Sequence, residues 1–220
     1  MKKKTKQFAV IGLGRFGTSV ATTLFKSGHE VLAIDASAER VQKFSNEVTH
    51  VVQADTTDEA ALKALGIRNF DVVVVAIGED VQANVMTTLS LKELGIKFIV
   101  AKAKSEMHGK MLEKIGADRV VYPERDMGMR VAHNLMSTNV LDYIELSPDL
   151  SLVEVSTPQE LIGQSLAEAN LRAKYGVNVM AIKRGDQLIL PPLPSEKIVA
   201  KDILIVVGGS SGVNKLEELE

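Results

Sequence analysis

Cysteine is absent from the 220 residues, and so is tryptophan. The first absence removes disulfides, thiolate nucleophiles and cysteine metal sites together. The second, in a chain with 4% aromatic residues, leaves few stacking platforms for single-stranded nucleic acid. An excess of either charge is also missing. Twenty-six Lys and Arg stand against 28 Asp and Glu, a net charge of −2, so no long-range field draws the chain to nucleic acid or an anionic membrane. No apolar run of signal-peptide or membrane-spanning length follows the basic start Lys2, Lys3, Lys4 and Lys6, which reads as a solvated tail of a cytoplasmic protein. Histidine is scarce, and beyond Leu150 there is none, so a histidine metal site or triad cannot be built there. No nucleophile elbow, Walker loop or paired-histidine motif occurs.

What is there, 45% hydrophobic and 25% charged, suits a globular protein with one domain of ordinary size and a smaller companion. The chain is organised around Phe8-Ala9-Val10-Ile11-Gly12-Leu13-Gly14-Arg15-Phe16-Gly17. An apolar run stops at Gly12 and an amphipathic segment begins at once, the pattern of a strand turning directly into a helix. That junction suits a phosphate. Gly12 permits the tight turn, Gly14 lets backbone approach the anion, Gly17 lets helix and strand pack closely, and the first helical N–H groups point at the ligand. A second strand ends at Asp35, where a carboxylate can accept from a ribose diol, and an acid there favours a ribose without a 2′-phosphate.

Up to Tyr122 the sequence alternates β-branched runs at 8–11, 31–34, 50–52, 72–77, 98–101 and 119–121 with helical stretches at 18–26, 38–45, 58–65, 81–94 and 106–115. This is the signature of a Rossmann-like α/β fold, a doubly wound parallel sheet covered by helices on both faces. Gly28, Gly66, Gly95 and Gly116 each follow a helix, where a left-handed residue is wanted. Ligands of such sheets bind beyond the carboxyl ends of the strands. There lie Asp55, fit to meet an adenine or ribose edge, and Asp58, better placed to cap a helix. Ile77-Gly78-Glu79 follows the fourth strand and Lys102-Ala103-Lys104 the fifth. Lys102 stands where a cation can face a phosphate, whereas Lys104 reads as a solvated charge. Arg15 either contacts the nucleotide or reaches a neighbouring subunit, and guanidinium chemistry favours phosphate.

Pro123 breaks the pattern and is expected to force an extended turn. Glu124 and Asp126 then begin a helix whose Met127, Val131 and Leu135 stripe reads as a packing face between lobes or subunits. The stretch 139–148 reads as a connector. From Leu150, strands at 152–155, 177–182, 188–190 and 203–207 with one helix at 166–171 make a small α+β lobe, and Leu216 with its acidic neighbours reads as a frayed end. The expected organisation is a nucleotide-binding domain over 1–123, a linking helix and connector over 124–147, and a smaller lobe over 148–220.

An oxidoreductase would need an acid or base beside its cofactor. His29 and His50 stand at strand starts, on the edge away from the nucleotide, and His133 lies on the linking helix. Only His108 follows a strand on the ligand edge, where it can touch nucleotide or substrate. The sequence supports binding better than catalysis, with an NAD(H)-dependent oxidoreductase as the alternative. A transcriptional repressor would need a DNA-binding element that is not visible.

Several longer stretches resemble a known family. They are Gly12 to Gly17, Asp55-Thr56-Thr57-Asp58, Arg68 to Asp71, Leu112 to Asp118, Tyr122-Pro123-Glu124-Arg125-Asp126-Met127-Gly128, and Arg172-Ala173-Lys174-Tyr175-Gly176-Val177-Asn178. Together they resemble the cytosolic regulatory subunits of bacterial Ktr potassium transporters, the KtrA/KtrC type, which pair a nucleotide-binding RCK domain with a smaller C-terminal lobe. The resemblance implies a non-catalytic switch. An octameric ring would lie at the inner face of the membrane beneath an embedded potassium-translocating dimer, activated by ATP and held inactive by ADP, with NAD or NADH as alternative ligands. It implies phosphate-loop contacts from Gly12, Gly14, Phe16 and Gly17, with Arg15 reaching phosphate across a dimer. Ribose contacts fall to Asp35, Ala36 and Ser37, and adenine-side contacts to Asp55 and Thr56. Ile77, Gly78, Glu79, Lys102, Ala103, Lys104 and His108 complete the site, and Glu124 helps hold Mg²⁺ or Ca²⁺ between subunits. Asp55 stands where some relatives carry Asn. In the C-terminal lobe the resemblance implies inhibitory cyclic di-AMP, with Arg172 and Asn178 as contacts.

Overall fold

Short β-branched runs, each followed by a helix and each apolar on both faces, form a parallel sheet because only helices on both sides can bury them. The computed structural model describes residues 5–136, 140–147, 149–217 and 219, in two compact units, Met1–Pro123 and Glu124–Glu220. In the first unit six strands, β1 (Gln7–Ile11), β2 (Glu30–Asp35), β3 (His50–Gln53), β4 (Val72–Val75), β5 (Ile99–Lys102) and β6 (Arg119–Val121), pair in the order β3-β2-β1-β4-β5-β6. All pairs are parallel. The helices between them are α1 (Arg15–Lys26), α2 (Ala38–Phe44), α3 (Glu59–Ala64), α4 (Val81–Glu93) and α5 (Glu106–Ile115). One apolar layer gathers around Ile11, Ile34, Leu91, Ile99 and Leu112, the other around Val10, Ala21, Ala33 and Phe44. Chain order reverses between β1 and β4, and the crevice at their carboxyl ends is where such sheets take ligands. Gly28, Gly66, Gly95 and Gly116 all have positive φ, as left-handed positions past a helix require.

The second unit takes all of α6 (Pro123–Met136) but its first residue and continues through β7 (Val140–Ser147), β8 (Leu150–Ser156), α7 (Leu166–Ala169), α8 (Leu171–Tyr175), β9 (Val177–Arg184), β10 (Gln187–Ile189), β11 (Ile203–Gly208) and α9 (Ser210–Glu217). Its antiparallel sheet runs β10-β9-β11-β8-β7, with Val153, Ile182, Ile198, Leu204 and Leu216 in its core.

Four local expectations differ from the structure. The connector over 139–148 is largely the edge strand β7, hidden in the sequence because its charged residues break the alternation and its pairing with β8 shifts register twice. Asn139 and Pro148 lie outside the described residues. The frayed end is helix α9, whose Leu216 and Val213 are fully buried. The single helix at 166–171 is two short ones divided at Asn170, which adopts φ 45°. Pro123 opens α6 at its first position, where its missing N–H costs nothing. No residue of α6 is fully buried, and its Met127, Val131 and Leu135 stripe is exposed, while Arg130 bonds Asp142 and His133 stacks on Tyr143.

Candidate nucleotide-binding site

The glycine loop is held by two backbone requirements. Gly12 sits at φ +96°, and a Cβ there would come within 2.9 Å of the Ile77 amide nitrogen. A Cβ on Gly17 would collide with the Gly12 carbonyl oxygen, so α1 and β1 approach this closely only with glycine at both ends. Gly14 differs. It is the N-cap of α1, makes no side-chain cap, and has nothing within 4 Å of where its Cβ would be. Without a capping side chain, the first N–H groups of α1 remain for an anion to meet, beside open space above Gly14.

Asp35 ties this loop to the end of β2. Its Oδ2 accepts the Leu13 N–H at 2.6 Å and its Oδ1 accepts the Ser37 N–H at 2.8 Å, with only 7% of the residue exposed. Arg40, which the sequence reading passed over, brings a guanidinium 3.4 Å from Oδ2. Ser37 in turn caps α2, accepting the Arg40 amide, and Ala36 between them is exposed. Asp35 therefore shapes the loop, while Oδ1 keeps capacity for a further donor such as a ribose hydroxyl.

Across the loop stands Lys102. Its Nζ lies 6.0 Å from the centroid of the Phe16 ring and 3.0 Å from where a Gly78 Cβ would be. A cation is thus placed between the start of α1 and the end of β4, and glycine at 78 leaves room for it. Lys104 pairs weakly with exposed Glu79 at 3.8 Å. Between the two lysines, Ala103 is buried and its N–H is bonded to the Val121 carbonyl.

His108 is 4% exposed, and its Nδ1 accepts the Lys104 N–H at 3.2 Å. The neutral ring therefore carries its proton on Nε2, which has no partner among the described residues. Burial pushes its pKa below the ordinary value, because the imidazolium is costly to desolvate. Asp55 is exposed, with Oδ1 accepting both the N–H and the hydroxyl of Thr57, bonds that hold its carboxyl below the usual range. The Thr56 side chain turns inward onto Thr87, hydroxyl to hydroxyl at 2.9 Å. Arg15 is exposed at the first position of α1. Glu124 belongs to the second unit, and among the described residues no group of three or more His, Asp or Glu forms a metal cluster.

Residues 8–123 match the TrkA-N domain family and residues 150–220 the TrkA-C domain family. The chain is 51% identical over 213 residues to the Ktr system potassium uptake protein C of Bacillus subtilis, covering 97% of this chain and 96% of that protein. The chain belongs to the KtrA/KtrC-type RCK family. It is also 47% identical to the Ktr system potassium uptake protein A of B. subtilis, covering 97% of this chain and 96% of that one. The Vibrio alginolyticus protein A is 40% identical over the full length of both. Among solved structures, the GsuK RCK domain superposes with a TM-score of 0.70 at 20% identity, and the GsuK channel bound to NAD with 0.69 at 18%. At such identities the likeness shows the fold. This chain spans 48% and 40% of those two longer chains.

In the second unit of this Ktr-family chain a groove of about 430 Å³ opens between α7, α8, β9 and the proline-rich loop, lined by Arg172, Asn170, Pro192 and Pro194 among others. Arg172 contributes to the wall. Asn178 falls outside it, between the lining residues Val177 and Val179, as the alternation of a strand requires. Arg184 fastens the far end of the loop, donating to both oxygens of buried Asp202 at 2.9 Å and to Glu196 at 3.0 Å. Burial raises the Asp202 pKa, but the bonds from Arg184 and the Val199 N–H outweigh it, and the carboxyl stays below its usual value.

Proposed function

We propose that this chain is the nucleotide-binding gating subunit of a potassium-uptake system, acting on a membrane-embedded Ktr partner. ATP activates it and ADP holds it inactive. The observation that carries this reading is the uncapped start of α1, with open space at Gly14 and the Lys102 ammonium beside Phe16 and Gly78, in a chain of the Ktr family. Helix N–H groups and a cation together favour a polyphosphate, and Asp35 adds a ribose acceptor. A triphosphate carries one more charged group than a diphosphate. Arg15, exposed at the mouth of the loop, reaches that group from a second copy and so favours one dimer shape over another. His108 presents its Nε2–H to the same ligand.

No catalytic role is assigned, and turnover is not expected. GsuK has been solved bound to NAD, and NAD or NADH is a second ligand for the same cradle. Glu124 supplies a carboxylate to a Mg²⁺ or Ca²⁺ that arrives on the nucleotide phosphates. The groove beside Arg172 takes cyclic di-AMP as an inhibitory signal, its apolar wall meeting adenine and its guanidinium a phosphate. No helix among the described residues is long and apolar enough to cross a membrane, and a peripheral position at its inner face, as an octameric ring, is the arrangement proposed.

The deciding experiment is equilibrium binding of ATP, ADP and NADH, with and without divalent cation, to the parent, Arg15→Ala and Glu124→Gln. ATP binding that responds to cation, and loses that response in Glu124→Gln, supports the reading. Tight NADH binding with ATP indifferent to cation and to both substitutions would overturn it.

A further inference from the structure

Asn84 is fully buried on α4, one turn inside the helix. Its Nδ2 donates to the Ile77 carbonyl at 2.6 Å and to the Lys102 carbonyl at 3.0 Å. Its Oδ1 is buried without a partner among the described residues. Two acceptors on one side of the amide fix which end is nitrogen. An alkyl side chain would fill this place without stranding an acceptor, so burial alone does not explain an asparagine here.

Its bonds join two strand ends at the point where the sheet stops joining them. The β4–β5 ladder ends at Val75 and Ala101, and past that rung the two chains separate into the segments that hold Gly78 and the Lys102 side chain. Beyond it no β4–β5 pairing fixes the spacing of Ile77 and Lys102, although Lys102 still pairs with Val121 of β6 on its other side. The Asn84 amide supplies one more rung, made by a side chain.

We propose that Asn84 is the positioning residue of the nucleotide site, holding the Lys102 main chain at a fixed distance from the Ile77–Gly78 turn and so setting where the Lys102 ammonium stands over the phosphate loop. It acts through Lys102 and touches no ligand. This rests on the nucleotide reading given above.

The test is a double-mutant cycle on ATP affinity with Asn84→Ala, Lys102→Gln and the pair, alongside Asn84→Asp, which keeps the shape and turns an acceptor toward the two carbonyls. Each protein is checked for folding by its thermal midpoint. Asn84→Ala is expected to weaken ATP binding roughly tenfold in the parent and less than about twofold in the Lys102→Gln background, since acting through one group makes effects non-additive. Asn84→Asp is expected to weaken ATP binding at pH 8 and to regain affinity relative to Asn84→Ala as pH falls and its carboxyl becomes a donor. Full additivity with Lys102→Gln, or ATP affinity unchanged in both folded Asn84 variants, overturns the proposal. Should Asn84→Ala fail to fold, Asn84→Asp on the two Lys102 backgrounds gives the same comparison. A parent that binds no nucleotide overturns the site reading itself, which is a different outcome from a parent that binds and variants that bind equally.

Discussion

The Asp35 carboxylate and the Leu13 amide lie 2.6 Å apart, so the acid at the end of β2 holds the glycine loop at the end of β1. A residue expected to serve the ligand also fixes the cradle in the free protein. Removing it should therefore affect stability as well as binding. In Asp35→Ala the buried Leu13 N–H loses its acceptor, at a cost of about 1–3 kcal/mol. Urea unfolding without nucleotide measures this, and a midpoint equal to the parent's would mean the bond contributes nothing to the fold.

Gly14 and Gly17 provide a matched pair. Gly17→Ala drives a methyl into the Gly12 carbonyl and should destabilise by at least about 1–3 kcal/mol, as overpacking does. Gly14→Ala meets only open space at an ordinary φ of −76°, so the fold should be kept. Its methyl then stands where a phosphate would come, and ATP affinity should fall by tenfold or more. Thermal midpoints and titrations on both variants check this. Gly14→Ala with parent-like affinity would move the phosphate elsewhere.

His108 gives a pH dependence with a definite sign. Burial lowers its folded pKa below the unfolded value of 6.5, so between the two the unfolded chain binds more protons. The contribution to stability is present above about pH 6.5 and is lost as pH falls through the folded pKa. Protonation also removes Nδ1 as acceptor for the Lys104 N–H. Urea midpoints at pH 7.5 and 5.5 should separate more in the parent than in His108→Gln, and equal separations would rule the histidine out.

Leu216 tests the C-terminal helix. It is fully buried among Val153, Val206 and Val213, and Leu216→Ala should cost about 2–5 kcal/mol. A frayed terminus would show almost none. Differential scanning calorimetry distinguishes the two.

The nucleotide-binding unit was legible in the sequence because its signals are local. A parallel sheet buried on both faces writes each strand as a β-branched run, and four of the five helices, all but α2, are followed by a glycine in the left-handed conformation. All six strands of the first unit lie where those runs stand, to within a residue or two at most ends. The second unit was less legible. Strand β7 carries Asp142 and Glu145 and is held by pairing with β8, and α9 is held by two apolar residues reaching a core assembled from distant strands.

The sequence by itself determined the strand–turn–helix at Gly12 to Gly17 and the acid at Asp35, since turn geometry and strand period depend on neighbours in the chain. It could not reveal that Asp35 bonds Leu13, that Lys102 stands by Gly78, or that Asn84 joins Ile77 to Lys102. Those relationships arise between strands adjacent in the sheet and remote in the chain. Only the order β3-β2-β1-β4-β5-β6 brings their ends together, and a hydrogen bond follows proximity in space.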